Sequence, residues 1–428
     1  MDRRRVFAAA LALSLVMVAC SSSEVGGGSD TSGSQEKVTL DFWVFEEGGI
    51  GSFLETLERD YETANPNVDL NITAYPEDNY GVKLDTAIAA DKAPDLVLVF
   101  GPEQMRAGLL LPLDDMVAQH NIDLTQYVPS IVTPGDEFSC AYEDHLYCLG
   151  SYAGSVQMLY NKDLFDAAGL DYPAAWPPMT PETFVEDACK LTNKTTGVWG
   201  GAASDPLAYI PWEMMFSPDG KTATVNSPDV VHQFEVLASG YDQGCIPSSN
   251  ILDPWEQGRD YFAKGELAMV ITDFQDLDKV EKAGINYGST ASPTPAGYDP
   301  YFFVWTDSVG VMASSEHPTE ATDFIAYLTT TGETTRYQVS GDMPLNLQTA
   351  KEVDWANGIA GREDGEEVLS HARTSVFVPN RWDVIGPYYD AWGYVLGGEK
   401  SAQEALDEAQ PAIQENLDKA WTDWDEAA

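Results

Sequence analysis

The chain has 428 residues, too many for one hydrophobic core and suited to two lobes. Hydrophobic residues make up 44% and charged residues 21%, which excludes wholesale disorder. Against 23 Lys and Arg stand 69 Asp and Glu, for a net charge of −46, and a surface so acidic repels phosphate backbones and excludes nucleic acid as a partner.

The first residues, MDRRR, form a cationic start, and residues 6–19 follow as an apolar run of 14. Such a run is short for a bilayer span and has the length of a secretory hydrophobic region. It ends at Cys20 after Val18-Ala19, which resembles the lipobox of bacterial lipoproteins, where the signal (residues 1–19) is cut before a lipidated cysteine. Residues 20–37 then read as a lipidated Ser/Gly tether with Val25 as its one aliphatic residue, with a reach of roughly 20–25 Å as a random coil. The expected location is extracytoplasmic, anchored to the outer face of the cell membrane.

Along the rest of the chain, residues 38–45 alternate as a strand, and Phe53, Leu54, Leu57 and Tyr61 fall on one helical face that Asn65-Pro66-Asn67 terminates. Val68, Leu70 and Ile72 alternate as a second strand, residues 80–90 are helical, and residues 96–100 are a continuous apolar strand. The order βαβαβ predicts a parallel sheet, with ligands near the carboxyl ends of its strands. Cys140 and Cys148 flank a hairpin turning at Glu143-Asp144, so their pairing is the first choice, and Cys189 with Cys245 follows. Gly169 stops a helix, Thr180 caps the next, and Ser401 with Glu404 forms a capping box. Beyond it a long helix buries Ala405, Leu406, Ala409, Ile413 and Leu417, with Pro411 as an expected kink and Trp421 and Trp424 read as packing. Trp424 is expected to be exposed, and its loss to leave ligand affinity unchanged.

Catalytic signatures fail. There is no GxxxxGK[ST], HExxH or GxSxG motif, and the GxG at Gly49 and Gly51 lacks its third glycine because Leu54 stands there. The acidic group Asp273, Asp276 and Asp278 lacks the glycine and terminal Glu of a calcium loop and reads as a solvated face. No cofactor, metal or catalytic residue is expected.

Several segments follow one set of motifs. Ala93-Pro94-Asp95-Leu96 matches an "apDvv" strand. His145 to Tyr152, followed by Gln157 to Phe165 (QMLYNKDLF) and Ala168-Gly169-Leu170, matches "kiYglP…lYNkdlf.kaGl", although Leu149-Gly150 replaces the usual proline. Phe262 to Met269 matches "f.nGkaAM", and Ser308-Val309-Gly310 with residues 321–325 matches a later strand and helix. In these segments the chain resembles the extracellular solute-binding proteins (family 1, sugar-type) of bacterial ABC importers, and the resemblance covers nearly all of residues 38–428. It implies an α/β, two-lobe fold of the periplasmic-binding-protein kind, each lobe a mixed, mostly parallel sheet flanked by helices, with a ligand cleft between them. Lobe 1 is expected at 38–150 plus 308–342 and lobe 2 at 155–303 plus 346–428, with crossings near 150–155, 303–310 and 340–348. It further implies a monomer that closes on a carbohydrate and hands it to ABC permease subunits.

Sugars present apolar faces and a rim of hydroxyls, so a cleft for them needs aromatic planes and polar partners. The expected aromatics are Trp305, Trp382, Phe274, Trp212, Tyr152, Phe45 and Phe100, at strand ends, crossings or polar turns. The expected polar partners are Asp273, Glu46, Glu47, Asp78, Gln104, Asp307 and Arg381. Two alternatives stay open: the same scaffold binding a cation such as a polyamine, which Arg381 opposes, or an exported glycoside hydrolase.

Overall fold

The computed structural model describes residues 37–46, 50–99, 101–136, 138–174, 176–203, 210–248, 251–252, 254–273, 278–300, 302–358 and 370–426. The signal, Cys20 and the tether through residue 36 lie outside the described residues, as do Glu47, Phe100 and Phe274.

Alternation builds the first sheet. In β1 (Val38–Glu46), Leu40, Phe42 and Val44 are buried while Thr39, Asp41 and Trp43 between them reach solvent. β1 pairs parallel with β2 (Val68–Pro76) from Val38–Val68 to Glu46–Pro76, and parallel with β3 (Leu96–Val99) on its other edge. The intervening helix Ile50–Ala64 buries Phe53, Leu57 and Tyr61, and Tyr61 meets Phe324 edge-on at 5.0 Å. Each such ring or aliphatic group contributes about 1.5–3 kcal/mol by leaving water.

After β3 the chain forms a hairpin of β4 (Ala141–Tyr142) and β5 (His145–Leu146), turning at Glu143 with φ 53°. Cys140 is bonded to Cys148, and Cys189 to Cys245, as expected from the spacing. β6 (Cys148–Leu149) then joins the edge of the first sheet, and β7 (Gly154–Asn161) lies at the centre of a second. β8 (Met269–Asp273), β9 (Tyr287–Ala291) and β10 (Phe302–Trp305) all pair with β7. β11 (Ser308–Val311) returns to the first sheet between β3 and β6, and β12 (Ala372–Arg373) pairs with β10. Both sheets are mixed. Mostly parallel pairing holds for β1, β2 and β3 but not around β7, whose three partners run antiparallel. Residues 162–268 separate β7 from β8, so no short crossover helix dictates their direction.

Helices Pro181–Leu191, Pro228–Asp242, Gly386–Leu396 and Ala402–Glu426 supply the core beside the second sheet. Phe234 sits edge-on to both Tyr388 and Trp392, at 5.0 and 5.3 Å. The expected stops are formed: Gly169 is left-handed at φ 66°, Thr180 accepts from the Thr183 N–H, and Ser401 and Glu404 cap reciprocally. Pro411 lies inside a continuous helix. The chain passes from the first sheet to the second over residues 150–153 and back over Thr306-Asp307. A third segment, residues 341–346, runs beside the first of these, since the Ala153 N–H donates to the Met343 carbonyl at 2.8 Å.

Candidate functional site

Arg381 is the centre of an aromatic enclosure. Asn380 adopts a left-handed conformation, turning the chain sharply before the short helix Arg381–Val384, and its side-chain amide donates to Asp383 at 2.9 Å. The guanidinium carbon then stands 4.5 Å from the Trp382 ring centre, 5.4 Å from Trp212 and 5.2 Å from Phe138. Trp212 opens the helix Trp212–Met215, lies parallel to Phe216 at 5.6 Å and meets Trp382 at 84°. Trp212 is 8% exposed and Trp382 59%, so one ring is a fixed wall and the other is open to solvent.

The aromatic series continues through Phe138, which is edge-on to Phe303 at 6.4 Å, and Phe303, which is tilted on Trp305 at 5.9 Å. Trp305 closes the series over Gly154, where a Cβ would lie 2.3 Å from its ring. Only glycine leaves room for that ring.

A polar rim surrounds these rings. Glu103 and Gln104 stand on the helix Pro102–Arg106 after β3. Glu103 is open to solvent yet walled by protein, and burial raises its carboxyl while Arg381 pulls it back. The Gln104 Oε1 on the same helix is buried without a hydrogen-bond partner in the structure. Burial likewise raises Asp136, against the opposing charge of Arg373, and Arg373 Nη1 lies 3.8 Å from Glu213 Oε1. Burial pushes the Arg381 guanidinium down to about 9, still a cation at neutral pH. Among the described residues no group of three or more His, Cys, Asp or Glu could hold a metal ion. The arrangement offers ring faces, one cation, and carboxylates and an amide, which suits a hydroxyl-rich solute.

Of the expected residues, the structure brings Trp212, Trp305, Trp382 and Arg381 into this series, while Gln104 lies on the helix that carries Glu103. Tyr152 and Asp307 are hydrogen-bonded to each other where the chain crosses between sheets, each two residues from the Trp305–Gly154 contact that ends the series. Phe45 is a correction. It is 3% exposed and packs edge-on to Tyr80, filling the core beneath β1 as an apolar residue on a buried strand face does. Glu46 ends β1 opposite Pro76, Asp78 lies in the helix Glu77–Ala89, and Asp273 ends β8 opposite Val156, but their side chains fall outside the description. Sequence reasoning missed Phe138, Phe303, Glu103, Asp136, Glu213 and Arg373. The adjacency of Glu103 to Gln104 and of Phe303 to Trp305 was a usable signal; nothing local marked Phe138 or Asp136, which the Asp136–Val376 bridge carries to the site.

Comparison with known proteins gives a consistent result. A sequence profile of bacterial extracellular solute-binding proteins matches residues 57–361. The chain is 24% identical over 426 residues to the sn-glycerol-3-phosphate-binding periplasmic protein UgpB of Agrobacterium fabrum, covering 88% of this chain and 92% of that protein. Its fold is similar to the sugar-binding protein MalE of Xanthomonas citri, with a TM-score of 0.74 at 18% identity over 91% of this chain and 99% of that one. It is also similar to an ABC substrate-binding protein of Listeria monocytogenes in complex with cycloalternan, with a TM-score of 0.72 at 22% identity over 89% and 99% of the two chains.

Proposed function

The chain belongs to the bacterial extracellular solute-binding proteins, and from that premise we propose that it captures a sugar, a mono- or oligosaccharide, by lobe closure and delivers it to an ABC importer. One observation carries the choice of solute: the ring series from Trp305 to Trp382, with Glu103, Gln104 and Arg381 beside it. Ring planes cover the C–H faces of a pyranose, and the rim exchanges hydrogen bonds with its hydroxyls.

The lobes follow the two sheets, residues 38–150 with 308–342 and residues 155–303 with 346–428, and the crossings near 150–155, 303–310 and 340–348 act as the hinge. Phe138 and Glu103 of the first lobe already stand beside Arg381 of the second, and a solute that contacts both sides shifts the population to the closed form. The permease subunits then read that form. The protein works as a monomer held to the outer face of the cell membrane by lipid on Cys20, with the tether giving it freedom to reach them.

A second reading rests on Arg381. A cation among ring faces also suits an anionic polyol, and the binding named for the Agrobacterium relative is of that kind. The same guanidinium disfavours a polyamine, whose charges it would repel. A thermal-shift panel of mono-, di- and oligosaccharides, glycerol phosphates and polyamines separates these readings, since a solute that binds only the folded protein raises the melting temperature. The sugar reading expects its largest shift from a neutral saccharide, returned intact from the complex; turnover of that saccharide would make the protein a hydrolase instead.

A further inference from the structure

Two of the three segments that run at the junction of the two sheets meet one buried guanidinium, and the other is tied to it through a tyrosine. Arg336 projects from the helix Glu333–Ser340, and its Nε donates to Asp342 Oδ2 at 2.7 Å, each side chain 7% exposed. Its Cζ stands 3.4 Å from the Tyr152 ring centre and 5.1 Å from that of Phe53. The Tyr152 hydroxyl donates to Asp307 Oδ2. Tyr152 thus belongs to the first crossing, Asp307 to the second and Asp342 to the third segment. Burial opposes the charge of Arg336, but Asp342, Tyr152 and Asp307 outweigh it and hold the guanidinium above its ordinary value. The first two crossings are also in tight contact, for a Cβ on Gly150 would stand 2.0 Å from Thr306 Oγ1.

We propose that Arg336 is a positioning residue of solute capture, tying the three crossings into one pivot and so fixing the path along which the lobes close. Separating Asp342 from it would strand a charge out of water, which costs more than the pair gains by forming, and separating Tyr152 would lose the ring contact that leads on to Asp307. Closure is therefore confined to torsions on either side of this knot, which keeps the two lobes in one register as they move. The inference rests on lobe closure as the working motion, and it is independent of which solute is captured.

The test uses the solute-free chain, with spin labels carried on non-natural amino acids at the exposed positions Val82 and Tyr394, one beside each sheet. Introduced cysteines would exchange with the two disulfides. The double variant Arg336→Met with Asp342→Asn removes both charges and leaves neither stranded. Pulsed electron resonance should show its inter-label distance distribution broadened about twofold or more, with far-ultraviolet dichroism unchanged. Arg336→Lys keeps the charge but not the planar stack on Tyr152, and should give an intermediate width. A folded double variant with the parent's width overturns the proposal, whatever its melting temperature. Should the double variant fail to fold, Tyr152→Phe decides: it keeps the ring over Arg336 and removes the hydroxyl link to Asp307, should broaden the distribution, and overturns the proposal if it does not. Failure of the sugar reading would leave all of these widths untouched.

Discussion

The guanidinium of Arg106 lies 4.6 Å from the ring centre of Trp424, and its Nη2 donates to the Asp425 carbonyl at 3.5 Å. The far end of the terminal helix is thereby attached to the short helix that carries Glu103 and Gln104. Trp424 also lies 5.0 Å from Phe377 and is only partly exposed, which corrects the expectation of an isolated surface ring. Its role is packing, as read, but packing against the rim of the site.

Trp424→Ala should therefore lower stability by about 1–2 kcal/mol, the sum of a cation–ring contact and a ring pair. It should also weaken solute affinity about two- to tenfold by loosening the helix Pro102–Arg106. Calorimetry on the variant checks both figures; unchanged affinity would mean that the contact is structural alone.

The two disulfides should differ in their contribution. Closing residues 140–148 removes less chain entropy than closing 189–245, so replacing the pairs by alanine should cost about 2.5 and 4 kcal/mol respectively, as upper figures. Thermal unfolding of Cys140→Ala/Cys148→Ala and Cys189→Ala/Cys245→Ala gives the order. Alkylation of the unreduced, unfolded protein should find none of these four thiols free.

Glu333 gives a pH signature. It is fully buried, its Oε1 accepts from the Asn346 N–H at 3.1 Å, and burial raises its carboxyl well above the ordinary value. The folded form holds a proton that the unfolded chain has released, so the stability of the parent falls as pH rises from the ordinary carboxyl range towards the folded pKa. Glu333→Gln keeps the acceptor and removes this penalty. Its stability relative to the parent should grow by about 1.4 kcal/mol per pH unit across that window. Urea unfolding at several pH values measures it; a constant difference would contradict the assignment.

Cys20→Ser tests the anchor. The variant should leave the membrane fraction once any retained signal is accounted for, with the folded part unchanged in melting temperature. Membrane retention as firm as the parent's would remove the lipobox reading.

Local chemistry made much of the fold legible. Alternation at Leu40, Phe42 and Val44, the apolar run of β3, the cap pair Ser401–Glu404 and the turn between Cys140 and Cys148 each rest on neighbours in sequence. The antiparallel partners of β7 were not legible, because they arrive after long excursions. The site divides in the same way. Trp212, Trp382 and Arg381 stood out as large side chains in polar turns, and they converge. Phe138 and Asp136 are placed by a bridge to Val376, a contact between residues 240 apart that no local pattern encodes. Phe45 misled because the end of a strand looks the same whether its last ring faces the cleft or the core. Tyr152 and Asp307 are expected as solute contacts, and the structure joins them to each other and Tyr152 to Arg336, links between distant segments that no local pattern encodes.

The central claim is that the rings around Arg381 hold a sugar, and Trp382 tests it most directly. Its ring is largely solvent-exposed, so Trp382→Ala should leave the melting temperature of the solute-free protein nearly unchanged. Trp305→Ala should lower it, because that ring is wedged over Gly154. The decisive measurement is the affinity of Trp382→Ala, by titration calorimetry, for the saccharide that most stabilises the parent. Loss of about 2 kcal/mol or more, a factor of about 30 in Kd, is the predicted result. An affinity equal to the parent's would contradict the account and move the solute away from Arg381.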